Sequence, residues 1–378
     1  PFWAQSAFTQ AVMAWLFGKG SKDTPIRTEL EDKYYPEWIK SPENLKGLTD
    51  RVALVTGVST SAGLGYYVTK ALASKGAQCV ITVRNLEKGN AVKAELEAQL
   101  KKVGVKAKPI LVMCMDNCDF NSVRAFTDEF MKQFDRLDIV CNNAGIMGFP
   151  YELSKDGFEV QIQTNHLSHF LMTARLWPLL KATAEKYGDV TLTQVSSGAS
   201  QMGNPTVDAS NLNRARPSHG LLIWLAPFSI GGTSAQWARY GQSKLANILF
   251  AMELHRRIEA AGLAEKIKST ASHPGLAATN LQVATTSRGA MNAAPGFMEK
   301  GQSSADGSLP LLMAIAHPTL VEGGGYYGPA KALTGLPKKV RNKNPLAYNV
   351  EAMRALWEAS EKAVGEKFEV QGPARSRL

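Results

Sequence analysis

Four cysteines in 378 residues, with no Cys-x-x-Cys pair among them, exclude a zinc ribbon and a fold built on disulfides. Cys79, Cys114, Cys118 and Cys141 lie in or beside apolar runs, so buried, reduced thiols are expected, and with them a reducing compartment. The six histidines form no His-Glu-x-x-His pattern, and His166 with His169 alone does not make a metal site, so no metal is expected. No zinc-finger spacing and no basic run interleaved with aromatics is present. The densest basic group, Lys338, Lys339, Arg341 and Lys343, therefore reads as a solvated loop, and nucleic acid is not an expected partner. No internal repeat is visible, which excludes a solenoid. No long uncharged run of about 20 apolar residues occurs either.

The nearest approach to such a run is residues 1 to 18, which carry no charge and are followed by Lys19 and Lys22. Gln5, Ser6, Thr9 and Gln10 dilute it, so an interfacial helix or a helix docking on a partner is expected ahead of a membrane span. Packing on its own domain and a remnant of a targeting sequence are the other readings. The first residue is Pro rather than Met, which fits processing or truncation. Residues 19 to 49 contain Pro25, Pro36 and Pro42 and read as an extended connector, with Tyr34, Tyr35 and Trp38 available to pin it down.

What is present is ordinary globular composition, 44% hydrophobic and 20% charged, with a net charge of +10 that suits an anionic partner such as a nucleotide phosphate. From Arg51 onward the apolar pattern alternates strand and helix. Val52 to Thr56 is a short buried strand, followed by Gly57, a small-residue loop and a helix from Leu64 to Ser74. A strand, a glycine-rich turn and a helix N-terminus make a phosphate cradle. The alternation continues through strands near Cys79 to Val83, Pro109 to Cys114, Leu137 to Cys141, Val190 to Val195 and Lys266 to Ala271. It predicts a doubly wound, Rossmann-type parallel sheet in a single α/β domain over residues 50 to 370, with a tail at 371 to 378. Residues 1 to 49 form its N-terminal extension. Residues 276 to 300 are rich in Ala, Gly, Ser, Thr and Asn and are expected to be a mobile lid or loop.

Tyr240 and Lys244 stand four residues apart, so one helix face carries a phenol and an ammonium on adjacent turns. A nearby cation favours the ionised phenol, so Lys244 is expected to lower the tyrosine's pKa. Thr56-Gly57 with Gly63-Leu64-Gly65, then Asn142-Asn143-Ala144-Gly145, Asn165, Ser197 and Tyr240 with Lys244 follow in order. With this set the chain resembles the short-chain dehydrogenase/reductase family over roughly residues 50 to 370. Asp156-Gly157-Phe158-Glu159, Asn165 to Phe170, Tyr240 to Asn247 and Leu356 to Lys362 look like its retinol dehydrogenase and protochlorophyllide reductase branch.

The resemblance implies a catalytic set of Asn165, Ser197, Tyr240 and Lys244. Tyr240 is implied as the general acid or base, Ser197 as the donor to the substrate carbonyl, and Lys244 as the group that tunes Tyr240 and holds the nicotinamide ribose. Asn165 is implied to hold a water in a proton relay. Ser196 is the less suited of the serine pair. The implied dinucleotide site comprises Thr56, Gly57, Ser59, Gly63, Leu64, Gly65, Arg84, Asn85, Asp116, Asn117, Asn143, Ala144, Gly145, Pro274, Gly275 and Thr279, besides Tyr240 and Lys244. At the end of the second strand an acid would take the ribose 2′-hydroxyl and a cation a 2′-phosphate. Arg84 stands there with Asn85, so NADP(H) is favoured.

Two departures from the family pattern stand out. Five residues, Val58 to Ala62, separate Gly57 from Gly63 where the family usually has three. The segment 201 to 239 is a long insertion before Tyr240 and contains the apolar run 221 to 230, expected to wall a lipophilic substrate or to contact a membrane or protein together with residues 1 to 18. The expected function is an NADP(H)-dependent oxidoreductase acting on the carbonyl or alcohol of a lipophilic substrate, membrane-associated and in an organelle or other reducing compartment. Reduction of a C=C bond and an accessory structural role in a larger complex are the alternatives.

Overall fold

The computed structural model describes residues 29–201, 234–288, 290–291 and 298–371. The expectations for residues 1 to 18 and 221 to 230, and most of those for the insertion, fall outside these residues. A short helix, α1 (Tyr35–Lys40), leads into β1 (Val52–Thr56), α2 (Leu64–Ser74), β2 (Gln78–Val83), α3 (Leu86–Lys102), β3 (Leu111–Cys114), α4 (Phe120–Gln133) and β4 (Ile139–Asn142). A three-residue turn α5 (Val160–Ile162) runs through a π-helical turn, Gln163–Leu167, into α6 (Ser168–Tyr187) and β5 (Val190–Val195). Then come α7 (Ser234–Ala260), β6 (Ile267–Ser272), α8 (Asn280–Ser287), α9 (Ser304–Ala316), β7 (Tyr326–Pro329), β8 (Pro337–Val340) and α10 (Val350–Val364).

The strands form one sheet in the order β3-β2-β1-β4-β5-β6-β7-β8, parallel up to β7 with β8 antiparallel at the edge. The order reverses between β1 and β4, the place where ligands bind at the carboxyl ends of the strands of such sheets. Side chains alternate across the strand plane. In β1, Leu54 joins the core with Phe170, Phe250, Trp357 and Phe368, whereas Ala53 and Val55 face Leu72, Leu96 and Leu312 on the other side. Apolar residues on both faces explain why β1 reads as one uninterrupted apolar run.

The segment expected to be extended holds α1, opened by Pro36 in its first turn. Tyr35 and Trp38 are buried, and Asp306 on α9 accepts hydrogen bonds from the backbone N–H groups of Lys33, Tyr34 and Tyr35 at 2.8–2.9 Å. The aromatic pins were rightly anticipated, but the helix between them was not. Within the stretch expected to be a lid or loop, Asn280–Ser287 is helical. Thr279 and Gln282 close a capping box on it, supplying the first turn with partners that its weak apolar pattern does not advertise. Likewise Lys338 and Lys339 lie on the edge strand β8, not in a loop, a place where lysines discourage further strand pairing. Of the thiols, Cys79 and Cys141 are buried, whereas Cys114 is exposed and Cys118 half-buried at the ends of β3 and its following turn; all four are free. Among the described residues no cluster could hold a metal ion, and no helix is long and apolar enough to cross a membrane.

Candidate active site

A cavity of about 540 Å³ opens at the carboxyl edge of the sheet. The β1–α2 loop forms its floor with Gly57, Ser59, Thr60, Gly63 and Leu64. Gly57 has φ of +73°, and a Cβ there would stand 2.7 Å from Ala144, so the turn needs glycine for both reasons. The two extra residues of this loop are tied down. Thr60 accepts from Asn280 Nδ2 at 2.7 Å, and the Ala62 carbonyl accepts from the Asn280 N–H at 3.1 Å and from Ser304 Oγ at 3.2 Å. The lengthened phosphate loop is thereby stapled to the start of α8.

Tyr240, Lys244 and Ser197 meet on the same cavity wall. Tyr240 and Lys244 are only 4% and 5% exposed. Burial pushes the Tyr240 phenol up to about 12, opposed by its hydrogen bond with Ser197. Burial pulls the Lys244 ammonium down to about 7; its Nζ donates to the Val195 carbonyl at 2.9 Å and lies 5.8 Å from the Tyr240 ring centre. The expected lowering of the tyrosine by the lysine is therefore not met in this structure, because desolvation dominates both groups and drives each toward its neutral form. Ser196, by contrast, donates to the backbone carbonyl of Lys244 at 2.7 Å, which leaves Ser197 as the serine in contact with the phenol.

Asn165 sits on the π-helical turn and does not line the cavity. Its Oδ1 accepts from Ile146 N at 2.8 Å, and its Nδ2 donates to Ile146 O at 3.0 Å and Ser243 Oγ at 2.8 Å. It therefore braces the segment following β4 against the Tyr240 helix. Asn143 and Gly145 line the cavity, as do Arg84, Pro274, Gly275 and Thr279. Six others of the predicted dinucleotide set stand back from it. Thr56 and Ala144 pack behind the floor, and the space where a Gly65 Cβ would stand lies 2.7 Å from Asn143 Nδ2. Asn85 caps α3 by accepting from Lys88 N, Asp116 Oδ1 accepts from Cys118 N, and the buried Asn117 amide donates to Thr164 O.

Residues the sequence did not single out complete the cavity. Lys88, in the first turn of α3, lines the cavity together with Arg84 at the end of β2. Met147, Phe149, Trp237, Leu276 and Leu281 make an apolar end around Tyr240, where Trp237 meets the Tyr240 ring edge-on at 5.9 Å. Arg288 lies there too. Among the described residues lining the cavity there are four cations, Arg84, Lys88, Lys244 and Arg288, and no Asp or Glu.

A reversed parallel sheet with a cation-lined cavity at its switch point, and a phenol, a hydroxyl and an amine on one wall, defines a dinucleotide-fold oxidoreductase class of site. Comparison with known proteins agrees. The family profile described as short chain dehydrogenase matches residues 51–209. A short-chain dehydrogenase/reductase of Aspergillus calidoustus is 30% identical over 86% of this chain and 97% of its own length. Retinol dehydrogenase 12 of Homo sapiens is 34% identical over 62% of this chain and 64% of its own length. The chain spans a little under two thirds of the length of several curated relatives, this one included. The crystal structure of an uncharacterized protein from Mycobacterium paratuberculosis superposes with a TM-score of 0.61 at 30% identity, covering 86% of this chain and 97% of that one. The chain belongs to the short-chain dehydrogenase family, in its retinol dehydrogenase-like branch.

Proposed function

We propose that this protein is an NADP(H)-dependent oxidoreductase that transfers a hydride to or from the carbonyl or alcohol carbon of a lipophilic substrate, with Tyr240 as general acid and base. The observation that carries the reading is a single cavity in which Tyr240, hydrogen-bonded to Ser197, shares space with Arg84 and Lys88 and with no carboxylate. The residues present fit a dinucleotide phosphate. The N-terminus of the 11-residue helix α2 and the residues Ser59 and Thr60 lie at the floor, and Arg84 and Lys88 make no ion pair among the described residues.

When bound, the nicotinamide supplies the hydride. The chain's own residues handle the proton and the charge. At neutral pH a phenol pushed up to about 12 keeps its proton, which suits donation to the oxygen of a forming alkoxide. Ser197 offers the same oxygen a hydrogen bond. Lys244, pulled down to about 7, exchanges a proton readily near neutrality. In the oxidative direction the phenol oxygen accepts the alcohol proton. The apolar end formed by Met147, Phe149, Trp237, Leu276 and Leu281 excludes water and accommodates a hydrocarbon body. We further propose that residues 1 to 18 and 221 to 230 contact a membrane surface or partner protein in a reducing compartment, on the strength of their uncharged composition and four free thiols.

The test is a fluorescence titration with NADPH and NADH, followed by turnover of long-chain aldehydes, ketones and retinoids. Tyr240→Phe is expected to keep NADPH affinity and lose roughly 10²- to 10⁴-fold in kcat. Absence of both dinucleotide binding and turnover sensitive to Tyr240 would overturn the enzyme reading in favour of an accessory role.

A further inference from the structure

We infer that Arg288 is a specificity-determining residue that selects lipophilic substrates bearing a carboxylate. The inference rests on the reading above and adds the substrate's charge. Arg288 ends α8, an eight-residue helix whose first residue, Asn280, is bonded to the phosphate loop at Thr60 and Ala62. At 1.5 Å per residue, α8 carries Arg288 about 12 Å away from that loop. The helix also starts just beyond β6, whereas Arg84 follows β2 across the switch point, so the two arginines enter the cavity from opposite halves of the sheet.

At its own end Arg288, itself exposed to solvent, borders the apolar wall. Its guanidinium carbon lies 4.1 Å from the Phe149 ring centre, and its Nη2 donates to the Met147 carbonyl at 3.2 Å. The same carbonyl accepts from Thr285 Oγ1 at 3.2 Å, and Trp237 Nε1 donates to Ala290 O at 3.0 Å. The end of α8, the Met147–Phe149 loop beyond β4 and the Trp237 ring that meets Tyr240 are thus one packed unit. Arg288 makes no ion pair among the described residues. A planar cation stacked on an aromatic ring, with Nε and Nη1 unspent and no acid in the cavity, matches the forked geometry of a carboxylate. Desolvation lowers its pKa, and a guanidinium keeps its charge at physiological pH. A ligand with its reacting carbon at Tyr240 and a hydrocarbon body along Met147, Trp237 and Leu281 would place a terminal carboxylate at Arg288.

The probe is dodecanoate, titrated calorimetrically into the NADPH-loaded and the free protein beside its methyl ester, with wild type, Arg288→Gln and Arg288→Lys. Dodecanoate is expected to bind wild type more tightly than the ester. Arg288→Gln should weaken dodecanoate about 10- to 100-fold, the loss of a charge-assisted bond, while leaving ester and NADPH affinity unchanged; Arg288→Lys should recover part of it. In turnover, the KM of an aldehyde with a terminal carboxylate should rise in Arg288→Gln by the same factor with kcat held. Equal weakening of acid and ester would make Arg288 part of the apolar wall only. A loss of NADPH affinity would assign it to the dinucleotide. A wild type that does not prefer the acid would overturn the inference outright. The calorimetry reads binding alone, so it stands or falls apart from hydride transfer.

Discussion

Thr56 Oγ1 lies 2.9 Å from His169 Nε2, and the pair joins the end of β1 to the helix that begins at the Asn165 turn. His169 Nδ1 is 3.1 Å from the Asn165 carbonyl, so the proton belongs on Nδ1 and Nε2 accepts from the Thr56 hydroxyl. The threonine's lone pairs are then free to accept from the N–H groups of Asn143 and Ala144, both at 2.9 Å. One hydroxyl thus serves three partners and sets the backbone of the segment following β4 that lines the cavity. Thr56→Val keeps the shape but strands the Ala144 N–H and leaves the Asn143 N–H only the Cys141 carbonyl and His169 Nε2 only the Asn117 amide at 3.4 Å, so we expect a stability loss of about 1–3 kcal/mol in urea unfolding. Thr56→Ser should stay within about 1 kcal/mol of wild type. Equal stability of the Val variant would show that the hydroxyl is dispensable.

The same histidine makes the fold sensitive to acid. Burial pulls His169 and His273 down to about 4 and His166 to about 3. Each folded pKa lies below the unfolded value near 6.5, so below that pH the unfolded chain takes up protons that the folded chain refuses. Stability is therefore full above about pH 6.5, falls as pH drops toward 4, and stops falling on this account near the folded values. At about 1.4 kcal/mol per pH unit per group, His169 and His273 would each remove about 3 kcal/mol by pH 4. Urea midpoints measured from pH 7.5 to 4.5 should decline steadily below 6.5. A flat profile across that range would contradict the burial of these rings.

Much of this architecture was visible before any coordinates. Leu64 to Ser74, Val190 to Val195 and Ser304 to Ala316 have the bounds their apolar runs imply, because each is closed by polar or glycine residues at both ends. The edge strand Pro337–Val340 hid behind its two lysines, since a four-residue strand with exposed faces has no apolar period to read. Helix α8 buries only Thr285, so its signal lay in the Thr279–Gln282 capping pair rather than in periodicity. At the site, Tyr240, Ser197 and Lys244 were legible as a set, and Arg84 as a strand-end cation. Met147, Phe149, Trp237 and Arg288 were not, because only the folding of α8 onto the β4 extension brings them together. The direction of the Tyr240 shift was misread for a related reason: spacing announces a neighbour, whereas burial depends on everything else that covers it.

Dinucleotide choice should follow the two cations beyond β2. Arg84 and Lys88 line the cavity without an acidic partner, so a 2′-phosphate gains charge-assisted bonds there that a 2′-hydroxyl does not. Arg84→Ala is expected to weaken NADPH by about 10- to 100-fold, and the double variant with Lys88→Ala by more, with NADH affinity little changed. Fluorescence titrations at fixed ionic strength check this. Parallel losses for both nucleotides would mean that these cations serve the shared diphosphate or merely the surface potential.

The residue just before Tyr240 gives a prediction about how the catalytic helix is held. Arg239 Nε lies 3.3 Å from Glu159 Oε1, and both side chains are nearly inaccessible. Glu159 also accepts from the N–H groups of Gln161 and Ile162 at 3.0 Å, at the start of the turn that carries Asn165. The ion pair therefore joins the Tyr240 helix to the Asn165 turn. Burial raises the Glu159 carboxyl and lowers the Arg239 guanidinium, so neither charge is comfortable without the other. Arg239→Met leaves a buried carboxylate and should cost about 3–5 kcal/mol at pH 7. That carboxyl then has a folded pKa above its unfolded value, the folded state binds the extra proton, and the deficit relative to wild type should shrink as pH falls toward 5. Glu159→Gln combined with Arg239→Met removes both charges and should recover most of the loss. A double variant no more stable than Arg239→Met would mean that the arginine acts through its packing on Tyr151, 5.5 Å from the ring centre, rather than through Glu159.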